Sequence, residues 1–579
     1  MSLWCRAAAA LLAGAACVAA TAESFQETLS LHPLPGGRVH ASFAFELSSE
    51  DASLHHFRLL PRALVQPVAA LGVREAQLSL AAGRWQYGAW GSPAADAPLD
   101  DVAVAGGAEA WALFDNASAP AGVPPPAPAA EARGRWRVLT SALAGLFCAS
   151  LERMDATTVE PTHDFLSQGP RGAGTQLFHA YLPSEAICTE NLTPLLKLLP
   201  CKGGAGLASL ILPHAILRAE FHSVSVHARR EGRSGWAIAL RVHAIVRPDG
   251  GMADAPVAWT LSRLFGRALT KACPVASASG IRLHLPDTPR HVHPAPRRGA
   301  EAEAPSGDDA RDDGARAPSA YRAAQRTHVY DTRTVPAPLD VHFEVHPHDG
   351  ALRRAPPLEA SRRVLGCGQE RNTVRVALRN HLRGEAVHVR YYDQFPWAVQ
   401  PLMHTLHTSA AVDAGADPAD LVRYRDDIDG PFVTHASYDP AQLRGRSGQL
   451  HLTLRVPPLS TVTVTYALVK HVLHTSEHVP DPHRGIDLPP AVFVPLAPGT
   501  DAADAQPWVR ARPAAAAAQA SRVYAAPSLL DMAVPDFSMP YNVILFYSTF
   551  VALFFGSLLN SMIRQFYDVP QRRTQTAAR

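Results

Sequence analysis

Alternation of apolar and polar residues at period two recurs along the chain. Val39-His40-Ala41-Ser42-Phe43-Ala44-Phe45-Glu46-Leu47 follows it, as do Phe221-His222-Ser223-Val224-Ser225-Val226-His227, Leu450-His451-Leu452-Thr453-Leu454-Arg455-Val456 and Thr461-Val462-Thr463-Val464-Thr465-Tyr466. On a pleated strand alternate side chains share a face, so these stretches predict half-buried antiparallel strands. Helical periodicity is rarer. Trp136, Leu139, Leu143, Leu146 and Phe147 mark one face of a helix over Trp136–Leu151, and Trp259–Leu269 is a second candidate. In ICTENLTPLLKLLPC, Ile187 to Cys201, Thr193 is a good N-cap and Pro194 a good first residue for a short turn over Leu195–Leu199, with Cys188 on the loop that enters it. Many strands and few helices predict a mainly β chain of tandem β-sandwich-like domains.

The two ends break this pattern. Arg6, the apolar run Ala7–Ala20 and the small-residue site Ala20-Thr21-Ala22 predict a secretory signal peptide over 1–22. Val543–Ile563 carries no charge. At about 1.5 Å per residue it spans about 30 Å, so a transmembrane helix is expected over 541–563. Phe537, Tyr541, Phe566 and Tyr567 would sit near the two headgroup zones. Arg564, Arg572, Arg573 and Arg579 against the single acid Asp568 predict a cytosolic tail over 564–579. An apolar tail removed in exchange for a lipid anchor would end the chain, whereas here a basic segment follows it. The expected topology is type I, with the bulk of the chain lumenal.

Three stretches lack periodicity: Ala119–Gly134, Pro286 to about Arg326, and Ala497 to about Ala520. They are too polar or too rich in small residues to bury a core. The expected division is a first lumenal β-rich domain over 23–285, a disordered linker over 286–326, a second lumenal β-sandwich over 327–496 and a stalk over 497–540. The net charge of +2 supplies no basic excess for nucleic acid.

Candidate chemistry is sparse. His342, Glu344, His346 and His348 alternate, so on a strand three imidazoles and a carboxylate would share a face, as a zinc or iron site needs. A solvated strand face has the same pattern, and nearby prolines and arginines favour it. His404 with His407, and His291 with His293, are weaker pairs. No nucleophile elbow, phosphate-binding glycine loop or H-E-x-x-H motif occurs. The cluster Asp308, Asp309, Asp312 and Asp313 lies in the linker and reads as solvated. Neither a metal nor a cofactor is expected. Cysteine is more informative. With Cys5 and Cys17 removed in the signal peptide, Cys148, Cys188, Cys201, Cys273 and Cys367 remain. Five cannot all pair within one chain, so an intermolecular bond or a free thiol is implied. Asn116-Ala-Ser118 and Asn191-Leu-Thr193 are glycosylation sequons, the second weakened by Pro194.

Four motifs carry a resemblance to a known family: FCASLERMD from Phe147, CTENLTPLLKLLPC from Cys188, LTKACPVAS from Leu269 and PDFSMPYNVI from Pro535 to Ile544. Weaker likeness runs through HHFRLLPRAL, Trp85–Gly91 and VPDPHRG from Val479, and it fails over Pro286 to about Arg326. The chain resembles the PIG-T family, non-catalytic subunits of the glycosylphosphatidylinositol (GPI) transamidase. That resemblance implies a complex in the endoplasmic reticulum membrane, where a precursor's C-terminal signal is exchanged for a GPI lipid. It implies a scaffold role beside a caspase-like catalytic subunit, other membrane subunits and the GPI lipid, and a disulfide from Cys188 to the catalytic subunit. The remaining cysteines would pair internally or stay reduced, with Cys148 to Cys201 or Cys273 favoured and Cys367 unassigned. Ser548, Ala552, Gly556 and Asn560 form a small-residue stripe on the span suited to packing against partner helices. Asp536, Ser538, Tyr541 and Asn542 lie where contacts to the GPI head group are expected. A type I adhesion or receptor protein with a β-sandwich ectodomain is the alternative reading.

Overall fold

The computed structural model describes residues 23–568 apart from 51–58, 92, 94–105, 116–128, 162–174, 184, 186, 233–234, 248–256, 287–291, 294–324, 335–337, 346–357, 383–385, 413–430, 479–480, 497–521 and 535–537. The alternating stretches form strands: Arg38–Ser49, Phe221–Glu231, Gly448–Val456 and Ser460–Lys470. The protein is mainly β, with a few helices and one apolar C-terminal helix.

The first domain is built on a nine-stranded sheet. Its order is Gln325–Asp331, Ala278–Pro286, Glu23–Leu34, Arg38–Ser49, Gly235–Val246, Phe221–Glu231, Val73–Ala82, Gly107–Phe114 and Gln176–Leu182. All neighbours are antiparallel except Glu23–Leu34 with Ala278–Pro286. One face supplies Phe25, Leu29, Phe43, Phe45, Leu240 and Val242 to a core closed by Trp136, Leu139, Leu143 and Phe147 of the helix Ala129–Phe147. That helix begins earlier and ends sooner than its apolar stripe predicts, because Cys148 turns into the left-handed region (φ 51°). The Trp259–Leu269 candidate is instead a strand, Val257–Thr260, and a short helix, Leu261–Phe265, stopped by Gly266 at φ 80°.

The second domain is a sandwich. A four-stranded sheet of Leu358–Leu365, Arg371–Asn380, Ser460–Lys470 and Val399–Val412 faces a five-stranded sheet of Val433–Asp439, Gly448–Val456, Val387–Phe395, Val492–Pro495 and Val523–Tyr524. Val374, Val376, Val462, Val464, Leu452 and Leu454 fill the space between them.

These pairings move the expected boundaries. Gln325–Asp331 closes an antiparallel pair with Ala278–Pro286, and His342–Val345 pairs with Val257–Thr260. The linker region is therefore an insertion in the first domain, and the second sandwich begins at Leu358 rather than at 327. Part of the expected stalk is folded too: Val523–Tyr524 joins the second sandwich, and Ser528–Leu530 pairs with Ile486–Leu488.

The two domains meet through a polar seam. Glu109 accepts from the Tyr524 hydroxyl (2.8 Å) and contacts His179 Nε2 (3.1 Å), while the Tyr87 hydroxyl accepts from the Tyr524 backbone N–H (3.1 Å). Burial alone would raise the Glu109 carboxyl, but His179, Arg522 and Tyr524 together hold it below the usual carboxylate value. Trp111, Leu113, Leu177 and Tyr181 of the first domain pack with Tyr392, Val492 and Val494 beside this seam.

The sheet face opposite the first core carries a row of buried imidazoles on four adjacent strands: His284, His32, His40 and His243. Ring centroids are 4.1, 5.7 and 5.3 Å apart in that order, and His40 Nε2 lies 3.1 Å from His243 Nδ1. Burial, with Arg241 and His32 adding to it, pushes His243 from its ordinary 6.5 down to about 3. The unfolded chain therefore binds a proton more readily than the folded one. Stability from this group is complete above pH 6.5 and is lost as pH falls toward 3. The expected result is a urea midpoint that drops between pH 7 and pH 5, with a shallower pH slope in His243→Asn. An unchanged slope in the variant would show that other groups set it.

Candidate functional site

The segment around Cys188 folds differently from its local signals. The helix runs Thr189–Leu198, with Cys188 as its extended N-cap (φ −130°, ψ −176°). The Thr193-Pro194 pair, a plausible start, lies inside it. Pro194 is tolerated in the second turn, and the Thr193 hydroxyl bonds back to the Thr189 carbonyl (2.8 Å). The helix starts early because Asn191, inside it, is held by distant partners. Its Oδ1 accepts the Cys188 backbone N–H (2.7 Å), and its Nδ2 donates to the carbonyls of Phe147 (2.7 Å) and Cys148 (3.3 Å). One carboxamide thus caps two helices, closing the N-terminus of Thr189–Leu198 and the C-terminus of Ala129–Phe147. The Ala149 N–H completes the second cap on the Ala144 carbonyl (3.2 Å), the long bond of a Schellman turn, with Cys148 in the left-handed position that usually favours glycine.

This geometry corrects two expectations. Asn191 is 0% exposed, and each of its amide atoms is engaged, so the folded chain has no room for a glycan there. Asn116 lies outside the described residues. The disulfide joins Cys201 to Cys273, in place of a pairing of either with Cys148. Cys148 is held at the helix end by its own cap, while Cys201 follows the Thr189–Leu198 helix and lies against the chain that enters Ala278–Pro286. Gly206, at φ 72°, makes that approach possible: a Cβ there would meet Cys273 Cβ at 2.7 Å and the Glu27 carboxylate at 2.6 Å. Buried Glu27 accepts from the Leu207 N–H (3.1 Å) and the Ser279 hydroxyl (2.6 Å), and burial raises its carboxyl despite both. The Thr189–Leu198 helix is therefore fixed at its start by Asn191 and just past its end by a disulfide. Cys148, Cys188 and Cys367 are exposed and outside any disulfide of this chain.

The other candidates are not brought together. His342 and Glu344 are half-buried on their strand, and His346 and His348 lie outside the described residues. His404 and His407 are exposed on Val399–Val412, where the strand register slips between Leu402 and His407. His293 pairs with His342 in a small sheet, and His291 is outside the described residues. Among the described residues no group of three or more histidine, cysteine or acidic side chains is placed to hold a metal. In the C-terminal helix Ser538–Ile563, the segment Tyr541–Ile563 is long and apolar enough to cross a membrane, with mean hydropathy 1.9. Ser548, Ala552, Gly556 and Asn560 recur at the four-residue helical interval within it, all exposed. Tyr541 and Asn542 lie at its start, Ser538 is its first helical residue, and Asp536 falls outside the described residues. What sequence reasoning missed is Asn191: the sequon pattern pointed to solvent, and only the neighbouring helix end shows its use.

Fold and site together define a class: a two-domain β protein with a membrane-spanning-length helix and, among the described residues, three exposed cysteines outside any disulfide, one of them at a fixed helix start. The chain belongs to the family described as Gpi16 subunit, GPI transamidase component, whose model matches residues 9–247 and 251–579. It is 30% identical to the GPI-anchor transamidase component PIGT of Mus musculus, over 95% of this chain and 91% of that protein. It is 29% identical to the same component of Homo sapiens, over 94% and 91%. It is 25% identical to the GPI transamidase component GPI16 of Saccharomyces cerevisiae, over 94% and 89%. Similarity to solved structures, such as the collagen-binding subdomain of the Enterococcus faecalis surface protein ACE (10% identity, 25% of this chain and 89% of that one, TM-score 0.14), carries no argument.

Proposed function

We propose that this chain is a non-catalytic scaffold subunit of the GPI transamidase in the endoplasmic reticulum membrane. Its folded domains face the lumen, and Cys188 forms a disulfide to the caspase-like catalytic subunit. The observation that carries this reading is an exposed cysteine, outside any disulfide of its own chain, at the start of a helix fixed at both ends. A tether of this kind turns association into an intramolecular contact, with effective concentrations of about a millimolar or more. The stripe Ser548, Ala552, Gly556 and Asn560 is proposed to pack against the complex's other membrane subunits. Asp536, Ser538, Tyr541 and Asn542 are proposed to meet the GPI head group, and Asn116 to carry a glycan.

Cys188→Ser should remove the high-mass band on non-reducing gels of the purified complex and lower GPI transfer without abolishing it. A band that persists in the variant would refute the assignment. Asn191→Ala should weaken the same band, because it leaves the Cys188 N–H and the Phe147 carbonyl unpaired, at about 1–3 kcal/mol for each buried group. Glycosidase treatment should reveal no glycan at Asn191 in wild type. A glycan there, or a variant with unchanged cross-linking and thermal midpoint, would overturn the double-cap role.

A further inference from the structure

Among the described residues, one end of the second sandwich gathers most of the exposed large apolar side chains that lie outside the C-terminal helix and its flank. Antiparallel pairing brings there the turns after Leu358–Leu365 and Val387–Phe395, the turn between Val433–Asp439 and Gly448–Val456, and the chain leaving Ser460–Lys470. Lys470 Nζ ties this end together, donating to the carbonyls of Gly368 (2.8 Å) and Asp531. Met532 packs there with Ala398 and Leu473, against Trp397 and Ile486.

Among the described residues, six large hydrophobic side chains outside the C-terminal helix and its flank are exposed: Val138, Val275, Leu365, Leu443, Val472 and Leu529. Four of them sit at this end: Leu365 (44%), Leu443 (61%), Val472 (79%) and Leu529, which pairs with Asp487 next to Ile486. Single exposed hydrophobics need no explanation, but a cluster does. Arg444 stands over the Trp397 ring at 5.7 Å in the middle of it and pairs with Glu477. Tryptophan, arginine and isolated aliphatic side chains together are suited to the headgroup boundary of a bilayer.

The chain's exit says what covers this end. Met532 is the last buried residue among those described, and the C-terminal helix begins at Ser538. The residues between them reach at most about 20 Å. The tether keeps the end that bears Met532 within about 20 Å of the start of the C-terminal helix. We propose that the turns bearing Leu365, Leu443 and Val472, with Trp397 and Arg444, form a seat on the lipid surface. The sandwich rests on the headgroups of the leaflet its own span enters, instead of standing off on a free stalk. The seat rests on the C-terminal helix crossing the membrane and is independent of Cys188.

Photo-crosslinking tests it on the full chain in phosphatidylcholine nanodiscs, with benzoyl-phenylalanine incorporated singly at Leu443 or Val472. Val138 (56%) and Val275 (46%), also exposed but elsewhere on the fold, are the controls. All four positions are exposed, so the probe disturbs no core. Lipid adducts at Leu443 and Val472 are expected at roughly ten times the control yield. Yields equal to the controls would overturn the seat. Crosslinks that go to another polypeptide and not to lipid, when the same variants are irradiated in the assembled complex, would also overturn it. Failure of the chain to enter discs at all would refute the span and the seat together.

Discussion

Arg362→Ala should cost the second domain about 3–5 kcal/mol, the scale for removing one partner of a buried ion pair. Arg362 and Asp393 are both fully buried, with Nη1 2.6 Å from Oδ1. The Asp393 carboxylate also accepts from the hydroxyls of Tyr391 (2.7 Å) and Tyr466 (3.2 Å) and from the Gln394 N–H (3.0 Å). Arg362 further donates to the Ala526 carbonyl (3.3 Å), which fixes the segment that returns to complete the sandwich. Burial raises the Asp393 carboxyl above its usual value, even though Arg362 and the two tyrosines pull it down. Without the guanidinium that upward shift grows, and the folded variant takes up a proton the unfolded chain does not hold. The loss should therefore shrink as pH falls from 7 toward 5. Urea unfolding followed by tryptophan fluorescence at both pH values checks this. The double variant Arg362→Met with Asp393→Asn should lose less than Arg362→Met alone, because no bare charge remains. Equal midpoints for wild type and Arg362→Ala would sink the argument.

The paired variant Cys201→Ser with Cys273→Ser should destabilise the first domain by a similar amount. The bridge closes a loop with a sequence separation of 72 residues. Releasing that constraint from the unfolded chain is worth about 4 kcal/mol on the chain-entropy scale. The paired substitution avoids leaving a lone thiol that could exchange with Cys148 or Cys188. The expected signature is a lower non-reducing thermal midpoint that converges on the wild-type value once both are measured with reductant. A midpoint that does not move under non-reducing conditions would show that the Glu27, Ser279 and Leu207 contacts hold this corner alone.

Much of the fold was legible in the sequence where a single physical requirement acts locally. Thr461–Tyr466 alternates because one face meets the sandwich core and the other meets solvent, and Val462, Val464 and Tyr466 are buried as that pattern requires. The span was legible because a bilayer admits few alternatives to an uncharged helix of its own thickness. The misreadings arose where distant partners decide. Composition marked 286–326 as poor in core residues, which it is, but composition cannot say that the flanking strands pair with each other, Pro286 opposite Gln325. Thr193-Pro194 carried a valid local start signal, yet a carboxamide shared with another helix end moved the start to Cys188. Asn191 itself reads as an acceptor of sugar until the carbonyls of Phe147 and Cys148 are placed beside it. The pairing of Cys201 with Cys273 depends on the close approach at Gly206, which no spacing rule encodes.

The seam between the domains has a consequence for biosynthesis. Tyr524 reaches back to Glu109 and Tyr87, and Val523–Tyr524 supplies an edge of the second sandwich, so both domains are finished by residues made just ahead of the apolar helix. While these residues are still inside the ribosome the seam stays open, with Glu109 and His179 lacking the tyrosine that closes over them. The two domains therefore cannot close on each other before the residues just ahead of the apolar helix have been made, so the seam is among the last parts of the fold to form.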